Sequence, residues 1–276
     1  MKIKYGVMQG RLSSIVNNKI QAFPSKNWQK EFSKLNKLNL NLLEWTLDYK
    51  NLKTNPLLNR KGKEKIKYLK KKYSIEINSI TCDCFMHKPF WKIKNNKEII
   101  NFLNKIILSS NELGIKLLII PLVDRGSIES IKHEKNLLKI CKSLENRLQK
   151  NRVKIIFESD FKPKKLSRFI RKFNIKHFGI NYDTGNSASL NYDIDKEFKN
   201  YGKYIYNIHI KDRKKFGNTV RLGCGNSNFV KLFKNLKQIN YKGNLILQTA
   251  RSKINRHMEE IKINLDFIKK IQNENI

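Results

Sequence analysis

Eight short apolar runs recur along this chain, and nearly all of them are followed by an amphipathic stretch. They are Ile3–Met8, Leu40–Trp45, Ile75–Thr81, Ile115–Leu122, Val153–Glu158, His177–Asp183, Tyr204–Ile210 and Asn244–Gln248. Helical patterns lie between them, such as Lys97–Leu113 with apolar Ile99, Ile100, Leu103, Ile106, Ile107 and Leu113. Others cover Ser130–Gln149, Phe229–Ile239 and His257–Ile271. Strands alternating with helices require right-handed crossovers and therefore a parallel sheet. Runs this short and this apolar suit strands covered on both faces. Eight such units in 276 residues match a single (β/α)8 TIM barrel, which commonly needs about 250 residues. A doubly wound open sheet would place a glycine-rich phosphate loop after the first strand, where this chain has only Gly10. Pro and Gly are too few and too scattered to mark a linker, so one domain over 1–276 is expected.

Composition narrows the function classes. A hydrophobic fraction of 39% is enough to bury a core and excludes a disordered chain. No apolar run approaches the ~20 residues that span a bilayer, and the start lacks the apolar stretch of a signal peptide. A cytoplasmic protein without membrane partners is expected. The 58 Lys and Arg outnumber 23 Asp and Glu, for a formal charge of +35. Yet the cations are 47 Lys against 11 Arg, beside 34 Asn, the bias of an AT-rich coding sequence. The lysines are spread, whereas a nucleic-acid surface favours Arg in a concentrated stripe. Diffuse solvated charge that attracts anions is the expectation, without specific nucleic-acid binding. Cys82, Cys84, Cys141 and Cys224 do not have zinc-knuckle or disulfide-framework spacing and read as reduced thiols.

In a TIM barrel the site is built at the C-terminal strand ends. Those ends carry Gln9 and Arg11, Glu44, Cys82 and Asp83, Asp124 and Arg125, Glu158, Asp183, His209 with Asp212, and Gln248 with Arg251. Polar groups at apolar strand ends are costly to bury unless paired. Each alone has a structural explanation: Glu158 could pair with a lysine, Asp183 could cap a turn, and His209 could be a satisfied core histidine. Together, Glu158, Asp183 and His209 on successive strand ends offer two carboxylates and an imidazole, a donor set for Mn²⁺, Mg²⁺, Co²⁺ or Zn²⁺. His133 and His257 fall on helical patterns and His177 opens a strand. His87 lies in an aromatic loop with Phe85, Pro89, Phe90 and Trp91, which either covers a sugar ring or packs on the rim. Arg11, Arg125, Arg213 and Arg251 follow strand ends and offer planar forks for carboxylate or phosphate.

The segments Phe157-Glu158-Ser159-Asp160, Asn181-Tyr182-Asp183-Thr184-Gly185-Asn186, Asn207-Ile208-His209-Ile210-Lys211-Asp212-Arg213 and Leu222-Gly223-Cys224-Gly225 resemble the xylose isomerase-like TIM barrels of sugar phosphate isomerases and epimerases. The likeness follows the same strand order over nearly the whole chain. The opening Gly6-Val7-Met8-Gln9-Gly10-Arg11-Leu12-Ser13 and Gln21-Ala22-Phe23-Pro24 also resemble a subgroup linked to surface-polysaccharide sugars. The resemblance implies a divalent metal held by Glu158, Asp183 and His209, with Gln248 where the family has a fourth carboxylate. Glutamine offers a carbonyl oxygen but cannot exchange a proton. The implied chemistry is proton abstraction beside a carbonyl through an enediolate, with Glu158 as base and Glu44 or Asp212 as substitutes for the missing carboxylate. One base alone implies isomerisation, or poor epimerisation. Asn186 replaces a frequent family histidine and joins Arg11, Arg213 and Arg251 as expected contacts to an anionic sugar. Two competing readings remain: an apurinic-type DNA endonuclease of the same superfamily, disfavoured by a lone strand-end histidine, and a non-catalytic sugar-binding barrel. Oligomeric state stays open, homo-oligomers included.

Overall fold

The structure is a computed structural model that describes residues 3–16, 19–50, 52–94, 97–252 and 254–275. Seven parallel strands run in chain order: β1 (Lys4–Met8), β2 (Leu42–Thr46), β3 (Glu76–Thr81), β4 (Leu117–Leu122), β5 (Lys154–Ser159), β6 (Phe178–Asp183) and β7 (Ile205–Ile210). A two-stranded antiparallel hairpin follows, β8 (Asp212–Arg213) and β9 (Thr219–Val220), and β10 (Asn244–Leu247) is the eighth barrel strand. The barrel is closed in the order β1-β10-β7-β6-β5-β4-β3-β2. That closure excludes the open doubly wound sheet. Each of the eight apolar runs coincides with one barrel strand to within two residues at either end.

The strands form because their side chains are buried on both faces. β2 and β6 are buried throughout, as both-face coverage requires. The outward faces pack on the helical layer, as where Phe157 of β5 meets Phe169 of the helix Pro163–Ile170 and Phe173 just after it, and Phe178 of β6 meets Phe173, with ring centroids 5.0–5.5 Å apart. Truncating such a buried ring to alanine costs about 3–5 kcal/mol. Helix starts carry their own chemistry: the Asn59 side chain accepts from Gly62 N–H to cap Arg60–Tyr73, and Asn228 caps Phe229–Gln238 in the same way.

One local expectation changes, and one open reading is decided. The helical pattern over Ser130–Gln149 becomes two helices, Ile131–Ser143 and Glu145–Asn151, joined at buried Leu144. The aromatic loop after β3 packs on the rim, with Phe85, Phe90 and Trp91 buried in edge-to-face contact, while His87 stacks on Tyr49 at 5.5 Å. Proton-bearing side chains also continue inside the barrel, where apolar layers are usual. Among the described residues no helix is long and apolar enough to cross a membrane.

Candidate active site at the barrel mouth

Side chains alternate along a strand, so residues i and i+2 share a face. On β6 that places Asn181 beneath Asp183, and on β7 it places Asn207 beneath His209, all facing into the barrel. Asn207 Nδ2 donates to Asn181 Oδ1 at 2.8 Å, and Asn181 Nδ2 donates to Glu158 Oε2 at 2.9 Å. Neither asparagine was among the sequence candidates, although the two-residue spacing within Asn181-Tyr182-Asp183 and Asn207-Ile208-His209 is the signal that finds them.

His209 is fully buried and held on both sides. Its Nε2 lies 2.7 Å from Glu44 Oε1 and its Nδ1 lies 3.1 Å from Glu158 Oε2. Burial alone would lower the pKa of this ring, but Glu44 and Glu158 outweigh it and raise it to about 10. Glu44 in turn accepts from Ser79 Oγ at 2.6 Å, Thr81 Oγ1 at 2.7 Å and Asn207 Nδ2 at 3.0 Å. Burial pushes its pKa up, yet His209 and the hydroxyl donors together hold it below the ordinary carboxylate value.

Asp183 closes the group. Its Oδ1 accepts from Asn186 N–H at 2.8 Å, which caps the helix Thr184–Ser189, and its Oδ2 accepts from Lys211 Nζ at 3.0 Å. Burial opposes ionisation, but Lys211, His209 and the Asn186 amide lower the pKa nonetheless. Glu158, Asp183 and His209 bring one donor atom each to within 4.8 Å of one another, a grouping that could hold a metal ion. Gln248 stands beside it, its Oε1 accepting from Lys211 Nζ at 3.2 Å and its Nε2 lying 3.3 Å from Met8 Sδ. Asn186 spans the mouth: Nδ2 donates to Glu158 Oε1 at 2.7 Å, and Oδ1 accepts from Arg213 Nη1 at 3.0 Å. A cavity of about 400 Å³ opens above, lined by Glu158, Lys211, Gln248, Arg213, Asp83 and Asp124 among others.

Four sequence candidates stand elsewhere than expected. Glu44 has 0% exposure and does not line this cavity, so it supports His209 from beneath and is out of a substrate's reach. Asp212 is equally buried, and accepts from the backbone N–H groups of Gly223, Gly225 and Ser227 at 2.8–2.9 Å. It clamps the loop after the hairpin, and a Cβ on Gly225 would come within 2.1 Å of its Oδ1. Arg11 is buried and donates to the carbonyls of Thr249 and Ile20, and Arg251 donates to that of Ser13. Both therefore tie the loop after β1 to the end of β10 and do not face the cavity. The same loop is held from below by Glu31, which accepts from the N–H groups of Gly10 and Leu12 and from Ser13 Oγ. Gly10 has φ +93°, which glycine alone adopts without strain, and a Cβ there would lie 2.7 Å from Ala22 O.

Known structures share this architecture. D-allulose 3-epimerase from Methylomonas sp., solved in complex with D-allulose, is 16% identical, with TM-score 0.75 over 97% of this chain and 96% of that one. The IolI protein, solved with a bound zinc atom, is 15% identical, with TM-score 0.75 over 99% of both chains. Such distant likeness shows the fold. An uncharacterised protein of Methanocaldococcus jannaschii is 29% identical over 84 residues, so the match spans 29% of this chain and 29% of that protein. A family model described as xylose isomerase-like TIM barrel matches residues 32–271, and the chain belongs to that family.

Proposed function

We propose that this protein is a sugar isomerase or epimerase that moves a proton on carbon next to a carbonyl, with a sugar, sugar phosphate or sugar acid as substrate. The observation that carries this reading is the convergence of Glu158, Asp183 and His209, with donor atoms within 4.8 Å of one another and Glu158 lining the cavity. Two carboxylate oxygens and one imidazole nitrogen suit a divalent cation, and an imidazole whose other nitrogen is pinned by a carboxylate is the usual arrangement of a ligating histidine. Glu158, Asp183 and His209 would hold the ion, with the Gln248 carbonyl oxygen as a weaker fourth donor. When bound, the ion supplies positive charge for the oxygens of an enediolate. The zinc in the IolI protein supports the same reading, without fixing the metal here.

The chain's own residues do the rest. Glu158 faces the cavity with its carboxylate held by Asn181 and Asn186, so its geometry is fixed before a substrate arrives. It removes the proton. Lys211 and Arg213 bring positive charge to the same cavity, which favours an anionic sugar. Glu44 orients His209, and Arg11 and Arg251 shape the loop that borders the mouth. The charge of +35 serves no lesion-specific DNA chemistry in this reading, because His209 is the one histidine in the metal-type grouping found among the described residues.

Metal analysis and isotope tracing test the proposal. Protein equilibrated with Mn²⁺, Co²⁺, Zn²⁺ and Mg²⁺ should bind one equivalent of at least one of them, and Asp183→Asn or His209→Ala should lose it while remaining folded. Incubation with ketohexoses and their 6-phosphates in D₂O should place deuterium on a carbon next to the carbonyl. Stoichiometric binding of none of the four metals, or no exchange with any sugar, overturns the reading. Nicking of DNA at abasic sites would favour the nuclease instead.

A further inference from the structure

Gln248 leaves the site one proton-transfer group short for inversion at carbon, and the two carboxylates that might replace it, Glu44 and Asp212, are fully buried and shut out of the cavity lining. One carboxylate at the mouth is not. Asp83 lies two residues beyond β3, is 6% exposed, and lines the same cavity as Glu158, Lys211 and Gln248. Its Oδ2 is fully buried without a hydrogen-bond partner. Asp83 holds the N-cap position of the short helix Cys84–His87, where an aspartate ordinarily accepts from the backbone N–H groups that follow, yet its side chain makes no such bond. A buried, unpartnered carboxylate oxygen costs several kcal/mol if charged, and a proton relieves that cost.

We infer that Asp83 is the second proton-transfer residue of this site, a neutral carboxylic acid that returns a proton to the carbon from which Glu158 removes one. The inference rests on the isomerase or epimerase reading. β3 and β5 are separated by β4 alone, so Asp83 and Glu158 reach the cavity from positions about a quarter-turn apart around an eight-stranded mouth. The step balances. Glu158 takes the proton, the C–H electron pair becomes the enediolate double bond, and the carbonyl π pair moves onto oxygen. The enediolate pair then forms a new C–H bond with the Asp83 proton on another face as the carbonyl re-forms. Glu158 ends neutral and Asp83 charged, and exchange with water resets both.

The groups facing Asp83 agree with a protonated resting state. Burial is the largest influence, and Glu158 from β5 and Asp48 from the loop after β2 add to it. Gln21, from the loop after β1, and His209, from β7, oppose them, and the pKa comes out at about 7. Arg11 also senses Asp83. Asp124, the remaining carboxylate on this cavity, is exposed.

The experiment compares wild type, Asp83→Asn, Asp83→Glu and Glu158→Gln, using D-allulose, D-fructose and their 6-phosphates as probes in D₂O. Inversion at C3 should fall about 10²–10⁴-fold in Asp83→Asn, the range for a lost general acid. Wash-in of deuterium at C3 should fall far less, because Glu158 still abstracts. Asp83→Glu keeps the carboxyl and should restore part of the inversion, and Glu158→Gln should lose both signals. Inversion in a folded Asp83→Asn protein within three-fold of wild type overturns the inference. A second readout needs no substrate: with ¹³C-labelled aspartate, one carboxyl should titrate near pH 7 and vanish in Asp83→Asn. If the resonance lost in that variant titrates with ordinary aspartates near pH 4, the inference fails, whatever the sugars do. If that resonance behaves as expected and no probe exchanges in wild type, the protonated Asp83 stands and the isomerase reading falls.

Discussion

Replacing Glu44 with glutamine isolates the support beneath the site. The Oε2 atom of Glu44 receives Ser79 and Asn207, and its Oε1 receives Thr81 and His209. Glutamine turns one of those oxygens into an NH₂ donor. A serine or threonine hydroxyl can rotate and accept from it, but Asn207 Nδ2 or a protonated His209 Nε2 cannot. One buried charge-assisted bond is therefore lost and a donor faces a donor. Breaking a buried pair from one side costs about 3–5 kcal/mol. At about 2.1 cal/mol/K per residue, 276 residues give an unfolding entropy near 0.6 kcal/mol/K, so Tm should fall by about 5–9 °C. The assay is thermal unfolding of metal-free protein at pH 7 by circular dichroism, followed by metal titration. Loss of an orienting partner should weaken metal binding about 10–100-fold. A Tm within ~2 °C of wild type together with unchanged metal affinity would refute the account of Glu44 as the anchor of His209.

Two further outcomes follow from the same cluster. His209 has its pKa raised from 6.5 to about 10 in the folded metal-free protein, so the stability it contributes is full below pH 6.5 and is lost as pH rises to about 10. Tm measured over that window should decline in wild type and decline less in His209→Gln; equal slopes would show that the imidazole is neutral. Lys211→Met removes the ammonium at Asp183 and Gln248, and a divalent ion should then bind at least about ten-fold, or ~1.4 kcal/mol, more tightly by calorimetry. Unchanged or weaker binding would mean that Lys211 organises the donors and does not compete for them.

The barrel was legible because its signal is repetitive: eight apolar runs, each bounded by polar strand ends, leave few alternatives. The hairpin β8–β9 was not, since strands of two residues carry no period. At the site, Glu158, Asp183 and His209 could be found because strand ends are where this fold does chemistry. The roles of Glu44, Asp212, Arg11 and Arg251 could not, because a charged residue just after a strand reads the same whether it faces the cavity or turns beneath it. Only three-dimensional partners, such as Thr249 for Arg11 or the Gly223 amide for Asp212, separate those cases. Asp83 is the converse. Its sequence position is that of a helix cap, and its distinguishing property is the bond it does not make.

The grip of Arg11 on Thr249 joins positions 238 residues apart, at the seam where the first strand meets the last. On a ribosome adding about 5–20 residues per second, β1 waits on the order of tens of seconds before its β10 neighbour exists. During that interval β1 has only β2 beside it, and a guanidinium destined for burial must stay in water. Synthesis order thus leaves the first strand with an open edge until translation is nearly complete, and the site at the barrel mouth cannot assemble before then. A nascent chain stalled ahead of residue 244 should remain protease-sensitive around β1, and one released a few residues beyond Thr249 should not.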